Sequence, residues 1–475
     1  MNLSAIKVLA IGDTAFRLID IAEFRGLALL EISLEKFGYP VTVPSAQSAA
    51  GKRILIATFG SLGDLHPYMA LGIALRQQGH RVTIATLGTY REKIESVGLG
   101  FAAIRPDLTD FGDDPDLIKK AMDLKSGTQF LLEKMILPHI EAGYGDLWTA
   151  SEHVDFMISH PATFAVPIVA VKRRIPWAAS SLAPMTMASA YDPPLIAAAP
   201  WLRIIQSMGP LANKVLLALF RMQTRRWLAP VTRLREKNGV TGLGHPFFEG
   251  QFSPLLNLAL FSPLFGPVQP DWPAHTVVTG FPFLHADPEA LPLDSSLERF
   301  LAAGPPPVIF TLGSTAVMTP GQFYDIAIAA SRRIRRRAVL LAGPAAEHLQ
   351  TVAGDDLFVT PYAPHAAIFR RAAAVVHQGG VGTTAEALRS GRPMLIIPFS
   401  HDQPDNARRV KRLGCGLILE RAKFSPISAA ERLQQLLNTP EISARAARTG
   451  AAISREHGIA AACQAVREAI DRACR

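Results

Sequence analysis

The run AAVVHQGGVGTTAEALRSGRPMLIIPFSHDQPDN (373–406) admits few folds. Its apolar start, 373–377, predicts a buried parallel strand. Gly379, Gly380 and Gly382 then let the backbone turn tightly and come close to a ligand. A helix is expected from near Thr383, and its unpaired N–H groups and positive dipole end suit a phosphate or diphosphate. Glu386 follows three residues on, where a carboxylate can accept bonds from two neighbouring sugar hydroxyls. The next strand, 393–399, leads to Asp402 and Gln403, an acceptor-only carboxylate beside a donor–acceptor amide.

The same grammar of strand, glycine turn and helix recurs along the chain and predicts parallel α/β layers. In the first half, strand 53–59 leads into a helix over 66–79, closed by Gly79, and strands follow at 81–86, 154–159 and 177–181. The second half restarts with strand 307–314, a helix near 320–336, and strands at 338–343 and 357–361. Between them, 284–306 is rich in Pro, Ala and acidic residues and predicts a linker with one short helix. Five units follow: an N-terminal extension (1–50), a first domain (51–283), the linker, a second domain (307–452) and a final helix (453–475). In the extension, 16–37 has the pattern of an amphipathic helix, although loose packing is the expectation for the segment as a whole.

Composition narrows the class. The chain has 475 residues, enough for two ordinary domains, with 49% hydrophobic and 19% charged residues. No apolar run of about 18 residues predicts a membrane span. The first 50 residues lack the features of a signal peptide. Cys415, Cys463 and Cys474 form no metal pattern and fit a reducing cytosol, so a cytoplasmic location is expected, peripheral to the inner membrane face at most. A net charge of +9 favours polyanions or anionic lipid. No nucleic-acid-binding motif accompanies it.

Several residues carry chemistry, each with an ordinary alternative. Asp64, after Gly63 in the turn GSLGD, is either a helix cap or a base placed outside a strand's carboxyl end. His66 is the second candidate base, its ordinary titration near ~6.5 suiting proton transfer. Thr383 and Glu386 also spell a capping box. His377 is either a core histidine or a donor to phosphate. Gly313, Ser314 and Thr315 form a second small-residue turn able to reach a diphosphate. Tyr362, with His365 nearby, offers a ring for stacking on a flat base. Asp114-Pro115-Asp116 has the form of a metal motif but precedes a helical pattern, so capping explains it. No other metal-ligand spacing occurs. Residues 210–237 mix aliphatic residues with Lys and Arg. A packed helix with a solvated basic face is expected there, with contact to anionic lipid as the alternative.

Taken together, H-x-G-G-x-G-T-x-x-E (377–386), the Gly391-Arg392-Pro393 turn and P-F-S-H-D-Q-P-D-N-A (398–407) resemble the nucleotide-sugar box of GT-B glycosyltransferases. The resemblance extends over about 51–465 and includes RILIATFGSLGDLHPYMALGIALRQQGHRVTIAT (53–86) and PDWPAHTVVTGFPF (270–283). It is nearest to the bacterial rhamnolipid rhamnosyltransferase and sterol glucosyltransferase branch. The resemblance implies an α/β GT-B fold of two facing Rossmann-like parallel-sheet domains with an interdomain cleft. It implies Asp64 as catalytic base. It assigns His377 and the glycines to the diphosphate, Glu386 to the ribose, Asp402 and Gln403 to the donor sugar, and Tyr362 to the nucleobase, where plant enzymes carry Trp. It also implies that the final helix crosses back to the first domain.

The activity expected is inverting transfer of a hexosyl group from a nucleoside-diphosphate sugar, of UDP-glucose or dTDP-rhamnose type, to a hydroxyl of an apolar acceptor. The nucleotide sugar is a co-substrate; neither cofactor nor metal is expected. The Met-, Leu- and Pro-rich segment 182–230 is the expected acceptor wall. A sugar-nucleotide epimerase of the same fold and a non-catalytic partner protein are the alternatives.

Overall fold

In the computed structural model, residues 7–10, 17–20, 51–107, 115–196, 199, 201–288 and 290–474 are described. Two parallel sheets organise them. The first has seven strands in the spatial order Gly100–Ala103, Arg81–Thr86, Arg53–Ala57, Phe156–Ser159, Trp177–Ser181, Asn257–Ala259 and Thr276–Val278. The second has six: Leu357–Thr360, Ala338–Leu341, Val308–Thr311, Ala374–His377, Met394–Ile396 and Gly416–Ile418. Helices cover both sheets, so the strands are buried on both faces. This explains why they read as continuous apolar runs rather than alternating ones. The fold is the two-domain α/β GT-B architecture.

Both sheets begin at a central strand, grow outwards in one direction, and then return to the other side of that strand. In the first sheet the reversal falls between Arg53–Ala57 and Phe156–Ser159, which pair in register with Ala57 opposite Ser159. In the second it falls between Val308–Thr311 and Ala374–His377, with Thr311 opposite His377. At such a reversal the following loops diverge to opposite faces and leave a crevice at the strand ends. Asp64, Gly313, Ser314, Thr315 and the glycines after His377 lie on these loops; Asp402 and Gln403 follow the neighbouring strand Met394–Ile396, and Tyr362 and His365 follow the outer strand Leu357–Thr360.

The linker carries one helix, Ser295–Ala302, capped by Asp294. The final helix, Gly458–Ala473, places Cys463, Val466 and Ala469 in a core cluster with Ile54, Ile56, Leu71 and Phe156 of the first domain. Among the described residues, no helix is long and apolar enough to cross a membrane.

Three expectations need correction. Arg17–Asp20 is a strand paired antiparallel with Lys7–Ala10, not part of a helix; the remainder of 16–37 lies outside the described residues. The first-domain helix starts at Leu62, four residues earlier than expected, and runs through Pro67 to Gln77, because Ser61 and not Asp64 supplies the cap. The Pro210–Trp227 helix does not bury its aliphatic row: its fully buried residues are Asn213 and Thr224. Asp114 is outside the described residues, and Asp116 lies in the first turn of a helix, Pro115–Ala121.

Candidate active site

Asp64 is the third residue of the Leu62–Gln77 helix. Its Oδ2 accepts the Ser61 N–H at 2.8 Å, while Ser61 Oγ accepts the Gly63 N–H at 3.2 Å. This capping box is the ordinary role anticipated for Asp64, although Ser61 rather than Asp64 is the cap itself. The box occupies one carboxylate oxygen. The other, Oδ1, faces His160 Nε2 at 3.5 Å. His160 lies directly after strand Phe156–Ser159, so the sheet reversal brings these two residues together. Its Nδ1 accepts the Ala162 N–H at 3.2 Å, which leaves the proton of the neutral ring on Nε2, aimed at Asp64.

Across the cleft stands the Val381–Arg389 helix. It begins two residues before the expected start, with Gly380 as N-cap and no side chain bonded to its first turn. The Thr383–Glu386 capping box is therefore absent, and the first N–H groups stay open to a ligand. Gly382 faces Gly63: a Cβ built on it would lie 3.7 Å from Gly63 Cα. The capped helix thus presents a carboxylate, and the uncapped helix opposite presents N–H donors and the positive end of its dipole.

The glycine turn is braced from below. His377 is fully buried; its Nδ1 accepts the Gly379 N–H at 3.1 Å and its Nε2 lies 3.5 Å from Met394 Sδ. Burial lowers its pKa to about 3, so the ring stays neutral. Both nitrogens are engaged in the core, so this ring position offers no direct donation to phosphate. Gln378, missed in the sequence, lies between the two glycine turns. A Cβ on Gly313 or Gly380 would strike its Nε2, and its buried Oε1 has no protein partner. Its only sequence signal was its place between His377 and the glycines. Gly313 takes φ +66, and Ser314 and Thr315 beside it are exposed at the cleft end of their strand.

Glu386 is held by Arg389, which donates to Oε2 at 2.7 and 3.1 Å and also to the His285 carbonyl. Burial raises the Glu386 pKa against the opposing pull of Arg389. Its Oε1 remains available to hydroxyls. Tyr362 is 65% exposed and offers an open ring face. His365 stacks on Phe369 at 4.6 Å and is pushed down to about 4 by burial.

Asp402 and Gln403 arrive as expected after strand Met394–Ile396, but their roles differ. Gln403 Oε1 accepts the Phe399 and Ser400 N–H groups, which leaves only its amide N–H groups to offer. Asp402 Oδ2 accepts from Asn406 Nδ2 at 2.7 Å, and the same amide donates to the Gly379 carbonyl. Burial raises Asp402 to about 7, with the Asn406 bond opposing and the charge of Asp64 adding to the rise. His401 sits at φ +54, 3.0 Å from Thr128 Oγ1. His66 is corrected as a base: burial first, then Lys93, His285 and His365, lower it to about 3, too weak to take a proton effectively near neutrality.

Residues 54–191 match the glycosyltransferase family 28 N-terminal domain, and 339–463 match the erythromycin biosynthesis protein CIII-like C-terminal domain. The chain is 32% identical to the O-mycaminosyltylonolide 6-deoxyallosyltransferase of Streptomyces fradiae, with 88% of this chain and 97% of that protein aligned. It is 28% identical to a sterol 3-beta-glucosyltransferase of Yarrowia lipolytica over 88% of this chain, but spans only 29% of that longer protein. The spinosyn rhamnosyltransferase SpnG complexed with thymidine diphosphate superposes with a TM-score of 0.62 at 18% identity, covering 87% of this chain and 100% of that one. On this likeness the chain belongs to the GT-B glycosyltransferases of the family 28 and erythromycin CIII-like type, and it is a nucleotide-sugar glycosyltransferase.

Proposed function

We propose that the enzyme moves a hexosyl or deoxyhexosyl group from a nucleoside-diphosphate sugar to a hydroxyl of an apolar acceptor, with inversion and in one displacement. The observation that carries this reading is the apposition of Gly63 and Gly382. It puts an acid, Asp64, on one side of a narrow gap and an uncapped helix N-terminus on the other. Asp64 takes the proton of the acceptor hydroxyl as its oxygen attacks the anomeric carbon. The departing diphosphate gains charge, and the open N–H groups of 381–383 stabilise it where it develops. Glu386 Oε1 binds the ribose, Tyr362 stacks on the base, and Asp402 with the Gln403 amide orients the sugar. The relatives supply the range of substrates: a macrolide with a deoxysugar by the Streptomyces enzyme's name, or a sterol with glucose by the Yarrowia enzyme's name. A thymidine diphosphate donor is favoured by the SpnG complex.

The acceptor side is apolar. Beside Asp64 and His160 a small pocket is lined by Phe59, Ile136, Ile140, Ala162 and Phe164. At about 30 Å³ it has room for roughly one water and not for an acceptor, so it shows only that this wall is largely apolar. The expected acceptor wall, 182–230, divides: Leu182, Met187 and Leu195 are core residues, and much of 201–222 faces outwards. The test is Asp64→Asn. It keeps an acceptor oxygen for the Ser61 N–H, should bind the donor nearly as before, and should cut transfer by about 10²-fold or more. Transfer at the wild-type rate would refute the assignment.

A further inference from the structure

The Pro210–Trp227 helix is inverted relative to an ordinary surface helix. Its polar Asn213 and Thr224 are buried, whereas Leu211, Val215, Leu219 and Met222 are 79%, 56%, 56% and 70% exposed. Their spacing of four, four and three puts them on one face. Trp201, Ile204 and Met208, just ahead of the helix, are exposed as well. Single exposed apolar side chains are ordinary, but a concentration of this kind marks a contact surface. Its outward pose is fixed from beneath, because Asn213 Nδ2 donates to the Ala190 carbonyl at 2.8 Å and the Gln206 carbonyl at 3.3 Å.

The charge around this row has one sign. No acidic residue occurs between Asp192 and Glu236. Arg203, Lys214, Arg225 and Arg226 are exposed, and no ion-pair partner is found for them among the described residues. Arg221 is satisfied by Glu249. On the helix, Lys214 and Arg225 border the apolar row on one side, and Arg226 continues it at its C-terminal end. A second copy docked face to face would bring these cations against one another. An anionic bilayer offers both an apolar interior and a complementary charge.

We propose that the face formed by Trp201, Ile204, Met208, Leu211, Leu219 and Met222 docks on an anionic lipid bilayer, lying in the plane of the interface with the basic rim against the headgroups. Because Asn213 ties the helix to the Ala190 loop, docking would hold the first domain's side of the cleft close to the membrane. The inference concerns where the enzyme sits and stands whether or not the acceptor is a lipid.

The test is sedimentation of the full chain with vesicles of phosphatidylcholine alone and of phosphatidylcholine mixed with phosphatidylglycerol. The protein should pellet with the mixed vesicles, much less with the neutral ones, and should be released by salt. Leu211→Gln with Leu219→Gln, and separately Arg225→Gln with Arg226→Gln, should each weaken partitioning by roughly tenfold, with thermal melting retained as expected for exposed positions. Failure to bind the mixed vesicles, or binding that both double variants keep, overturns the proposal. So does a concentration-dependent dimer that the leucine variant dissociates, since that result assigns the face to a second copy.

Discussion

His160 Nε2 lies 3.5 Å from Asp64 Oδ1, on the one carboxylate oxygen that the capping box leaves unused. Ser61 thus fixes one side of the carboxylate and His160 addresses the other. The imidazole is oriented in turn by the Ala162 N–H and packs edge-on against Tyr68. Such an arrangement would aim the proposed base, Asp64, without consuming it.

His160 is therefore expected to be a positioning residue. His160→Ala should lower kcat by about tenfold or more and leave the donor KM near its original value, because the proposed donor site lies on the opposite helix. His160→Gln, whose amide can still donate towards Asp64, should recover part of the loss. Steady-state kinetics of both variants decide it. Equal kcat for the alanine and glutamine variants would reduce His160 to packing.

Gly379 and Gly382 should respond in opposite ways to a methyl group. Gly379 sits at φ +93, and a Cβ there would lie 2.9 Å from Ile396 Cγ2, so Gly379→Ala should destabilise the fold. Gly382 is helical and its Cβ would make only ordinary contacts, so Gly382→Ala should hold or raise stability by about 0.5–1 kcal/mol. The new methyl nevertheless enters the gap facing Gly63. Donor KM should rise by roughly tenfold, comparable to losing a hydrogen bond to a charged group of ~1.5–3 kcal/mol. Melting curves and donor kinetics measured together separate these effects; an unchanged donor KM would place the diphosphate elsewhere.

Asp402 makes a prediction about pH. Burial raises its folded pKa to about 7, above that of an unfolded aspartate. Between roughly pH 4 and 7 the folded state then holds a proton that the unfolded state has released. Its contribution to stability is fully present below the unfolded pKa and is lost as pH rises through this window, on the order of 2–4 kcal/mol in all. Asp402→Asn should flatten that decline. Urea midpoints for both proteins from pH 4 to 8 check it, and parallel curves would show that Asp402 is not the group responsible.

The sequence carried the strands and the glycine turns well because buried parallel strands leave continuous apolar runs and tight turns leave glycines. The short outer strands Gly100–Ala103, Asn257–Ala259 and Gly416–Ile418 left no such mark. His160 was illegible for a different reason. It belongs to the site only because Ala57 and Ser159 are in register, and pairing between distant strands has no local signature. The Thr383–Glu386 pattern was ambiguous because a capping box and a ligand carboxylate use the same spacing; the actual start at Val381 removes the capping box. The exposed row of the Pro210–Trp227 helix was misread because periodicity identifies an apolar face without saying what covers it.

The last prediction concerns the joint between the domains. Arg409 is 1% exposed and bonds Asp405 at 2.7 Å on its own helix and Asp192 at 2.5 Å from the first domain. Asp405 also accepts the Leu195 N–H at 3.0 Å, and Asp192 accepts from Arg412 at 3.0 Å. The network fastens the 190–195 loop to the second domain. Removing one partner of a buried ion pair strands the other charges in a poorly solvated place, which costs far more than the intact pair contributes. Arg409→Met, similar in length and without charge, should therefore destabilise the protein by about 3 kcal/mol or more. It should also free the loop, so proteolysis near 190–195 should quicken under native conditions. Lysine should rescue poorly, since it cannot span both carboxylates with a planar fork. Urea unfolding and limited proteolysis of the two variants measure these effects; if Arg409→Met matches the wild type in both, the network does not hold the domains.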